Sequence, residues 1–259
     1  MKLIDKLWNW GQLAGCHNKI TGFDCKMSPA EFAEEYGIKN AFIVSYDGNI
    51  MPPFSNTAKD LTNLNKIIWS VLGDGLSPLP EDELGYTKDI LDIQDTTPSL
   101  AGGVVDDFFS PERMKRFPPE VLKRIKQRLN EQGLSFWCVL YNFELDMELE
   151  KYMECFDGIT FWIWQCDNIP RMDEYLGKLQ KIVKDKPVML GVYLMDFSKP
   201  YTLMNPELFE MQLQKYFGLL ENSEIEGIIF CSSTVGDAPT TANKTLKQYI
   251  KDYGEKEIG

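Results

Sequence analysis

The stretch AGGVVDDFF, residues 101–109, has the composition of a buried strand that ends in two aspartates. Glycines and valines form its apolar part, and Asp106 and Asp107 follow at the point where a strand would pass into a loop. Ser110 and Pro111 then supply an N-cap and a first helical residue, so a helix is predicted next. Because successive strand residues point to opposite faces, only one aspartate can share the apolar face. We therefore expect this strand to carry a carboxyl group into a cleft.

Strand-like apolar runs alternate with helix-like runs along the whole chain. Ser28, Pro29 and Glu31 form a capping box that begins one helix, and Gly37 ends it. The predicted strands begin near residues 13, 40, 66, 101, 134, 158, 187 and 227. Eight units of about thirty residues each, in a chain near the ~250 residues typical of the fold, predict an α/β protein with a single (β/α)8 TIM barrel. Residues 1–259 are expected to form one domain.

The first strand is the weakest part of this prediction, since the run Leu13–Cys16 is the shortest of the eight. An open doubly wound sheet is the alternative fold, and it usually carries a glycine-rich phosphate loop after its first strand. Neither a GxGxxG nor a GxxxxGKS/T sequence occurs in the chain. The barrel is therefore the favoured fold.

Composition narrows the range of partners and compartments. The chain is 44% apolar and has a formal net charge of −12, which disfavours a nucleic-acid backbone as ligand. Six cysteines without a CxxC pair indicate neither a zinc site nor a disulfide framework. The N-terminus mixes charged residues into its apolar ones, unlike a signal peptide, and no apolar run approaches the roughly 18 residues of a membrane span. We expect a cytoplasmic protein without a membrane partner; its oligomeric state stays open.

Polar residues recur where the predicted strands end. In a TIM barrel these C-terminal ends form one face, and that face carries the active site. The residues at the predicted ends are His17, Asp47, Asp74, Asp106 with Asp107, Glu144, Gln165 with Asp167, Asp196, and Ser232 with Ser233. The aromatic residues beside them are Tyr46, Trp69, Phe108, Tyr141, Trp162, Trp164 and Tyr193. The pattern predicts a mouth of acids between aromatic rings, which suits stacking against a sugar.

Few kinds of chemistry fit these residues. A single histidine excludes the multi-histidine metal cages of metallohydrolases, although a Mg²⁺ or Mn²⁺ site built from carboxylates stays open. No lysine lies in a predicted strand core, and Lys199 lies too far along its loop, so a Schiff base is disfavoured. Paired carboxylates remain, and they most naturally serve glycosidic bond cleavage without a cofactor. The expected ligand is a small molecule or an oligosaccharide.

The order of units, the acids at the strand ends and the aromatic mouth resemble the barrel-fold glycoside hydrolases. The resemblance covers the whole chain as an architecture and includes no specific motif. In the α-amylase type, acids lie on strands four, five and seven, which the resemblance maps to Asp106 or Asp107, Glu144 and Asp196. In the α-galactosidase type, aspartates lie on strands four and six, which correspond here to Asp107 and Asp167.

The sequence departs from these patterns in two ways. Val104 stands where the α-amylase type has an arginine, and the paired strand-four and strand-seven glutamates of the largest hydrolase clan are missing. The resemblance implies that Asp107 is the nucleophile or stabilising base, Glu144 the acid and Asp196 a residue that orients substrate. The residues expected to bind substrate are His17, Tyr46, Asp47, Tyr141, Trp162, Trp164, Gln165 and Tyr193, of which Trp162, Trp164 and Tyr193 would stack on sugar.

Two other functions fit the same residues. The first is a carbohydrate-binding barrel without catalysis, in which the aromatic mouth binds sugar and the acids are wrongly spaced for a reaction. The second is a divalent-metal sugar isomerase or aldolase, in which Asp106, Glu144, Asp167 and Asp196 bind the ion. Loss of activity on treatment with a chelator would indicate the second function.

Overall fold

The computed structural model describes residues 1–198 and 201–259. Lys199 and Pro200, which fall in the predicted loop before the helix at Asn205, lie outside the described residues. The strands are β1 (Leu7–Gly11), β2 (Asn40–Ile43), β3 (Lys66–Ser70), β4 (Leu100–Val105), β5 (Ser135–Tyr141), β6 (Gly158–Trp162), β7 (Val188–Tyr193) and β8 (Gly227–Cys231). Each strand pairs in parallel with the next, and β8 pairs with β1, so the sheet closes into a barrel. The predicted (β/α)8 fold is confirmed.

The first strand lies earlier in the chain than the sequence predicts. The run Leu13–Cys16 is the predicted strand, but β1 ends at Gly11 and residues 14–17 form a turn. The reason lies in the alternating tryptophans of β1, which share one face of the strand. Trp8 and Trp10 both pack against Phe42 of β2, with ring centroids 5.2 and 5.4 Å apart. These rings fill the barrel interior in a way that the shorter run could not.

Large tryptophans in the barrel interior are matched to glycines on the neighbouring strands. Trp137 of β5 pairs in register with Gly158 of β6, and Trp162 of β6 pairs with Gly191 of β7. A Cβ added at Gly158 would lie 2.4 Å from the Trp137 ring, and one at Gly191 would lie 2.0 Å from the Trp162 ring. The absence of a side chain at each glycine therefore makes room for the indole beside it.

The helices between the strands begin and end largely at the predicted signals. Ser28 and Glu31 exchange hydrogen bonds with each other's backbone N–H at 3.2 and 2.8 Å, so the capping box is confirmed. Gly37 ends that helix with a left-handed φ of 70°. The helices are α1 (Asn18–Thr21), α2 (Pro29–Tyr36), α3 (Ser55–Ala58), α4 (Thr87–Asp92), α5 (Pro111–Arg116), α6 (Pro119–Asn130), α7 (Glu150–Met153), α8 (Met172–Val183), α9 (Pro206–Glu221) and α10 (Thr241–Tyr253).

Two helices are shorter than the sequence predicts. The helix expected over residues 81–95 spans only α4, because the Tyr86 N–H donates to the Val71 carbonyl at 2.9 Å and holds the preceding chain against the end of β3. The helix expected over residues 145–155 spans only α7, and residues 145–149 between it and the short 3₁₀ helix Asn142–Glu144 are not helical.

No helix in the described part of the chain combines the length and the apolar character that crossing a bilayer requires.

Candidate active site

A cavity of about 330 Å³ opens at the C-terminal ends of the barrel strands. Eight of its sixteen lining residues are aromatic and three are aspartates, so acids and rings do share one mouth as the sequence predicts. Two of the five predicted catalytic residues line it, Asp106 and Asp107. Six of the eight predicted substrate-binding residues also line it: His17, Tyr46, Tyr141, Trp162, Trp164 and Tyr193.

The end of β4 presents its two aspartates to the cavity in different ways. Asp106 directly follows the strand and is buried, whereas Asp107 is half-buried and has a left-handed φ of 47°. The Asp107 N–H donates to Asp106 Oδ1 at 3.0 Å. The left-handed turn lets the second carboxyl reach the cavity as well, which plain strand alternation would not allow.

Both carboxylate oxygens of Asp107 accept hydrogen bonds from neighbouring strand ends. The Tyr141 hydroxyl of β5 donates to Oδ1 at 2.8 Å, and the Gly75 N–H in the loop after β3 donates to Oδ2 at 2.7 Å. A Cβ at Gly75 would lie 2.8 Å from the same Asp107 oxygen, so the backbone approaches the carboxyl as closely as glycine permits. Asp107 is thereby fixed in orientation from two sides.

Asp106 is held in an environment that favours its protonated form. Burial, and then the nearby carboxyls of Asp107 and Asp74, raise the pKa of Asp106 well above its ordinary value, against a smaller opposing effect of Arg113. Asp74 lies in the loop after β3, where burial raises its pKa also. Asp74 Oδ1 accepts hydrogen bonds from the Asp47 N–H at 3.0 Å and from the hydroxyl of Ser77 at 2.6 Å.

A buried arginine fastens the ends of β3 and β4 to each other. The Arg113 guanidinium on α5 donates to the carbonyl oxygens of Gly73 at 3.1 Å and Asp106 at 2.7 Å, and also to that of Asp74. It is 4% exposed and is not among the lining residues of the cavity. Arg113 thus positions Asp74 and Asp106 through their backbone carbonyls and leaves their carboxyl groups free to face the cavity.

A wall of aromatic rings from the ends of β5, β6 and β7 lines the cavity next to the acids. The Trp164 ring lies edge-on to the rings of Tyr141 and Tyr193, with both centroid distances 5.6 Å. The Trp162 ring is 5.1 Å from the ring of Tyr193 and 5.2 Å from that of Trp10. Burial raises the pKa of the Tyr193 and Tyr141 hydroxyls well above the ordinary value, so both stay protonated at neutral pH.

His17 enters the cavity from the segment after β1 as a neutral imidazole. Its Nδ1 lies 2.7 Å from the Thr234 hydroxyl, which in turn lies 2.5 Å from the hydroxyl of Ser232 after β8. Burial lowers the pKa of His17 to about 4. The ring packs against Tyr46 at 4.5 Å and Phe197 at 5.1 Å. His17 therefore offers the cavity a hydrogen-bonding group that carries no charge at neutral pH.

Five predicted site residues are not among the lining residues of the cavity, and most of them bond within their own loops. Glu144 is buried, its Oε2 accepts the Tyr141 N–H at 2.8 Å, and burial raises its pKa to about 7. Asp196 Oδ1 accepts hydrogen bonds from the N–H and hydroxyl of Ser198 at 2.9 and 2.6 Å. Gln165 accepts one from Asn168 at 3.0 Å. Asp47 is exposed, and Asp167 lies in the first turn of the 3₁₀ helix Cys166–Arg171.

Several lining residues are missing from the sequence-based candidates. Trp10 and Gln12 belong to the end of β1 and the segment after it, and the misplaced first strand concealed them. Asp74 stands at a predicted strand end and was recognisable as an acid of the mouth, whereas Phe197 and Tyr201 lie in the loop after β7, where no pattern marks them. Placing the first strand at Leu7–Gly11 would have identified Trp10 and Gln12 as candidates.

The described residues contain no group of three or more histidine, cysteine, aspartate or glutamate side chains arranged to hold a metal ion.

Comparison with known proteins links this barrel to others by structure. No family model and no curated protein matches the chain. The Bacillus megaterium spore cortex-lytic enzyme SleL is 9% identical to this chain. The match covers 100% of this chain and 76% of the SleL chain, with a TM-score of 0.63. A GH113 β-1,4-mannanase is 12% identical, covers 96% and 99%, and has a TM-score of 0.57. A mutant tryptophan synthase α-subunit from Pyrococcus furiosus is 12% identical, covers 98% and 99%, and has a TM-score of 0.51.

These likenesses confirm the architectural resemblance to barrel-fold glycoside hydrolases. At such low identities they show the fold alone, and the tryptophan synthase subunit illustrates that other chemistry uses the same architecture. The function of this chain therefore has to be argued from its own cavity.

Proposed function

We propose that this protein is a glycoside hydrolase whose reacting carboxyls are Asp106 and Asp107. The observation that carries the proposal is the pair itself: two adjacent acids, in unlike environments, line one aromatic cavity. Carboxyls with separated proton affinities are what acid–base cleavage of a glycosidic bond requires. The reaction would proceed without a cofactor.

Asp106 is suited to be the proton donor. Burial and the two neighbouring carboxyls favour its neutral form, which can protonate the glycosidic oxygen as the bond to the leaving group breaks. This assigns the acid to the end of β4, whereas the resemblance to the α-amylase type assigns it to Glu144. Glu144 also has a raised pKa, but its carboxyl binds the Tyr141 N–H and is not among the lining residues.

Asp107 is suited to be the nucleophile or the base. Its two oxygens accept hydrogen bonds from the Tyr141 hydroxyl and the Gly75 N–H, which fix the plane of the carboxylate. In that orientation it can attack the anomeric carbon or activate a water molecule. The Tyr141 hydroxyl stays protonated and keeps donating throughout, since burial raises its pKa.

The aromatic wall supports a sugar as the ligand. Trp162, Trp164 and Tyr193 line the same cavity as the acids, and such rings stack against the apolar faces of pyranose rings. Two of the structurally similar proteins are named as a spore cortex-lytic enzyme and a β-1,4-mannanase, which agrees with a carbohydrate substrate.

A second candidate is a carbohydrate-binding barrel without catalysis. The position of Glu144 favours it, because the acid expected from the resemblance does not line the cavity. In this version Asp106 and Asp107 would bind sugar hydroxyls, and the aromatic wall would supply most of the affinity.

A panel of aryl glycosides of different sugars and both anomeric configurations, assayed for aglycone release, tests the proposal. We expect turnover of at least one of them, a loss of about 10²–10⁴-fold in Asp106→Asn, and no loss in the exposed control Asp60→Asn. Unchanged turnover in Asp106→Asn would refute its role as the acid. Sugar binding without any turnover would favour the binding barrel, and activity lost on chelation would favour the metal-dependent isomerase or aldolase.

A further inference from the structure

The described residues that line the cavity offer a ligand negative charge and no positive charge. Its lining in the described part of the chain includes three aspartates and no lysine or arginine. His17 is uncharged at neutral pH because burial lowers its pKa to about 4. Arg113, which lies close to the acids, directs its guanidinium to backbone carbonyls. An anionic sugar would therefore meet repulsion without compensation, in a chain whose net charge is already −12.

Two acids of the cavity, Asp106 and Asp74, also have more carboxyl oxygens than protein donors bind. Asp106 Oδ1 accepts the Asp107 N–H, and Asp74 Oδ1 accepts donors from Asp47 and Ser77. Within the described residues, no hydrogen-bond donor reaches the second oxygen of either carboxyl. A ligand rich in N–H or O–H donors would supply them, and a positively charged donor would do so most strongly.

An independent observation on the β1 side of the cavity points the same way. The Gln12 side chain lines the cavity and is only 4% exposed, yet its amide oxygen has no hydrogen-bond partner in the described structure. A buried amide oxygen without a donor is destabilising. Gln12 follows β1, whereas the acids follow β3 and β4, and within the described residues no donor satisfies its amide oxygen, so a ligand donor is its natural partner.

The rings of the cavity favour a cation as well. Trp10, Trp162 and Trp164 line the same space as the three acids. The face of an indole attracts ammonium groups within about 6 Å of its centre, and more strongly where water is excluded. A charged amino group in this cavity would thus be attracted by carboxylates and by aromatic faces together.

We propose that the cavity selects a sugar that carries a free, protonated amino group over the same sugar in its N-acetylated or hydroxyl form. The inference deepens the proposed function and rests on it for the sugar part of the ligand. Protonated amine is the recognised chemistry: the ammonium would donate to Asp74, and the ring would lie along the aromatic wall. An acetamido group carries no charge and would leave Asp74 without a cationic partner.

Calorimetric titration of the wild-type protein tests this selection independently of turnover. The ligands are β-linked disaccharides of glucosamine, N-acetylglucosamine and glucose, with cyclohexylamine as an amine that lacks a sugar. We expect the glucosamine disaccharide to bind at least about tenfold more tightly than the other two sugars, and added salt to weaken only this complex. Equal or weaker binding of the glucosamine disaccharide would overturn the proposal, as would equally tight binding of cyclohexylamine.

A substitution at the mouth supplies a matched pair of variants. Leu76 lines the cavity and is 64% exposed, so its replacement leaves the fold intact. Leu76→Lys should weaken glucosamine binding several-fold relative to the neutral Leu76→Gln, while binding of the glucose disaccharide stays the same in both. Asp74→Asn keeps the Oδ1 acceptor and should remove most of the preference for the amino sugar. Equal affinities in both Leu76 variants would contradict the proposal.

The outcomes separate this inference from the hydrolase assignment. Preference for the amino sugar without cleavage of any glycoside would support the inference and refute the hydrolase. Cleavage of neutral glycosides with no preference for the amine would leave the hydrolase standing and refute the inference. Failure of all three disaccharides to bind would refute the inference, and the hydrolase assignment would then be decided by the aryl glycoside panel.

Discussion

Two sectors of the barrel mouth both contain strand-end acids, but only one of them turns those acids toward the cavity. The acidic sector comprises the ends of β3 and β4 with Asp74, Asp106 and Asp107. The aromatic sector comprises the ends of β6 and β7, where Asp167 and Asp196 are not among the lining residues and the rings beside them are. Aspartates that follow different strands thus differ in their position: those of the acidic sector line the cavity, and those of the aromatic sector are not among its lining residues.

The distance along the chain from the last strand residue explains the difference. Asp106 directly follows β4, so the sheet still fixes the direction of its backbone. Asp167 and Asp196 follow the ends of β6 and β7 at Trp162 and Tyr193 by several residues and belong to their loops. There a carboxyl is most easily satisfied by nearby backbone N–H groups, as Asp196 is by Ser198.

Asp74 shows that a loop acid can still reach the cavity when the backbone turns it inward. It lies beyond the end of β3 at Ser70, but Gly73 has a left-handed φ of 71° and reverses the chain. The Asp74 N–H then donates to the Ser45 carbonyl at 3.1 Å. An acid several residues beyond its strand therefore bonds within its own loop, unless a left-handed residue turns the chain back toward the cavity.

The largest expected effect compares one acid from each sector. Asp107→Asn should lower turnover of the best aryl glycoside about 10³–10⁴-fold, because the amide can neither attack nor accept a proton. Asp196→Asn should change it less than about threefold, since asparagine keeps the acceptor that binds Ser198. Steady-state kinetics on both variants measures the contrast. A comparable loss in the two variants would show that the aromatic sector also supplies a reacting carboxyl.

The next effect concerns the link that holds the acidic sector together. Arg113→Met should lower the free energy of unfolding by about 3–4 kcal/mol, because the buried carbonyls of Gly73, Asp74 and Asp106 lose their donors. The exposed Arg116→Met should cost less than about 0.5 kcal/mol. Urea denaturation of the two variants measures the difference. Similar stabilities would mean that the strand ends hold each other without the guanidinium.

Glu144 lies after β5, between the two sectors, and predicts a pH dependence of stability. Burial raises its pKa from 4.5 to about 7, so the folded chain keeps a proton that the unfolded chain loses across this range. Stability should therefore fall as pH rises from about 4.5 to about 7, by up to about 3 kcal/mol, and stay level above that. Glu144→Gln keeps an acceptor for the Tyr141 N–H and should remove this part of the slope.

Urea unfolding of wild type and Glu144→Gln at both ends of that pH range provides the measurement. The comparison between the two proteins isolates Glu144 from the other acids, whose contributions are common to both. An identical pH slope in the two proteins would mean that Glu144 is ionised in the folded state, and that it could not have served as the acid in any version of the mechanism.

The fold was predictable because each of its signals lies within a short stretch of sequence. Apolar runs, caps such as Ser28 and stops such as Gly37 are each short-range, and eight repetitions outweigh one error in β1. That error arose because a strand with two tryptophans and an asparagine does not resemble an apolar run, although Trp8 and Trp10 fill the barrel. Gly227 on the neighbouring β8 leaves room for the Trp8 ring, as Gly158 and Gly191 do for Trp137 and Trp162, and that room is a tertiary property.

The site was predictable in its composition and not in its geometry. Acids and rings were correctly assigned to one mouth, but the direction of each side chain depends on loop conformation. The left-handed φ of Asp107 and the contact with Gly75 have no signature in a single sequence. Gln12 was overlooked because a glutamine after a misplaced strand carries no signal, and its unpartnered oxygen appears only in three dimensions.

The smallest effect asks whether the aromatic sector is rigid. Gly191→Ala would place a methyl group 2.0 Å from the Trp162 ring, so the indole must shift, and we expect a cost of about 1–3 kcal/mol in unfolding free energy. Gly177→Ala is the matched control, because Gly177 lies in α8 with nothing within 4 Å of the new methyl group. That substitution should stabilise the protein by about 0.5–1 kcal/mol.

Thermal denaturation of both glycine variants, with tryptophan fluorescence of the folded state, measures the effect. A destabilised Gly191→Ala with weakened sugar binding would indicate that Trp162 is held in a fixed position, so the aromatic sector is formed before ligand arrives. A neutral Gly191→Ala would indicate that the indole moves at little cost. The aromatic sector would then adapt to its ligand, and selectivity would rest on the acidic sector alone.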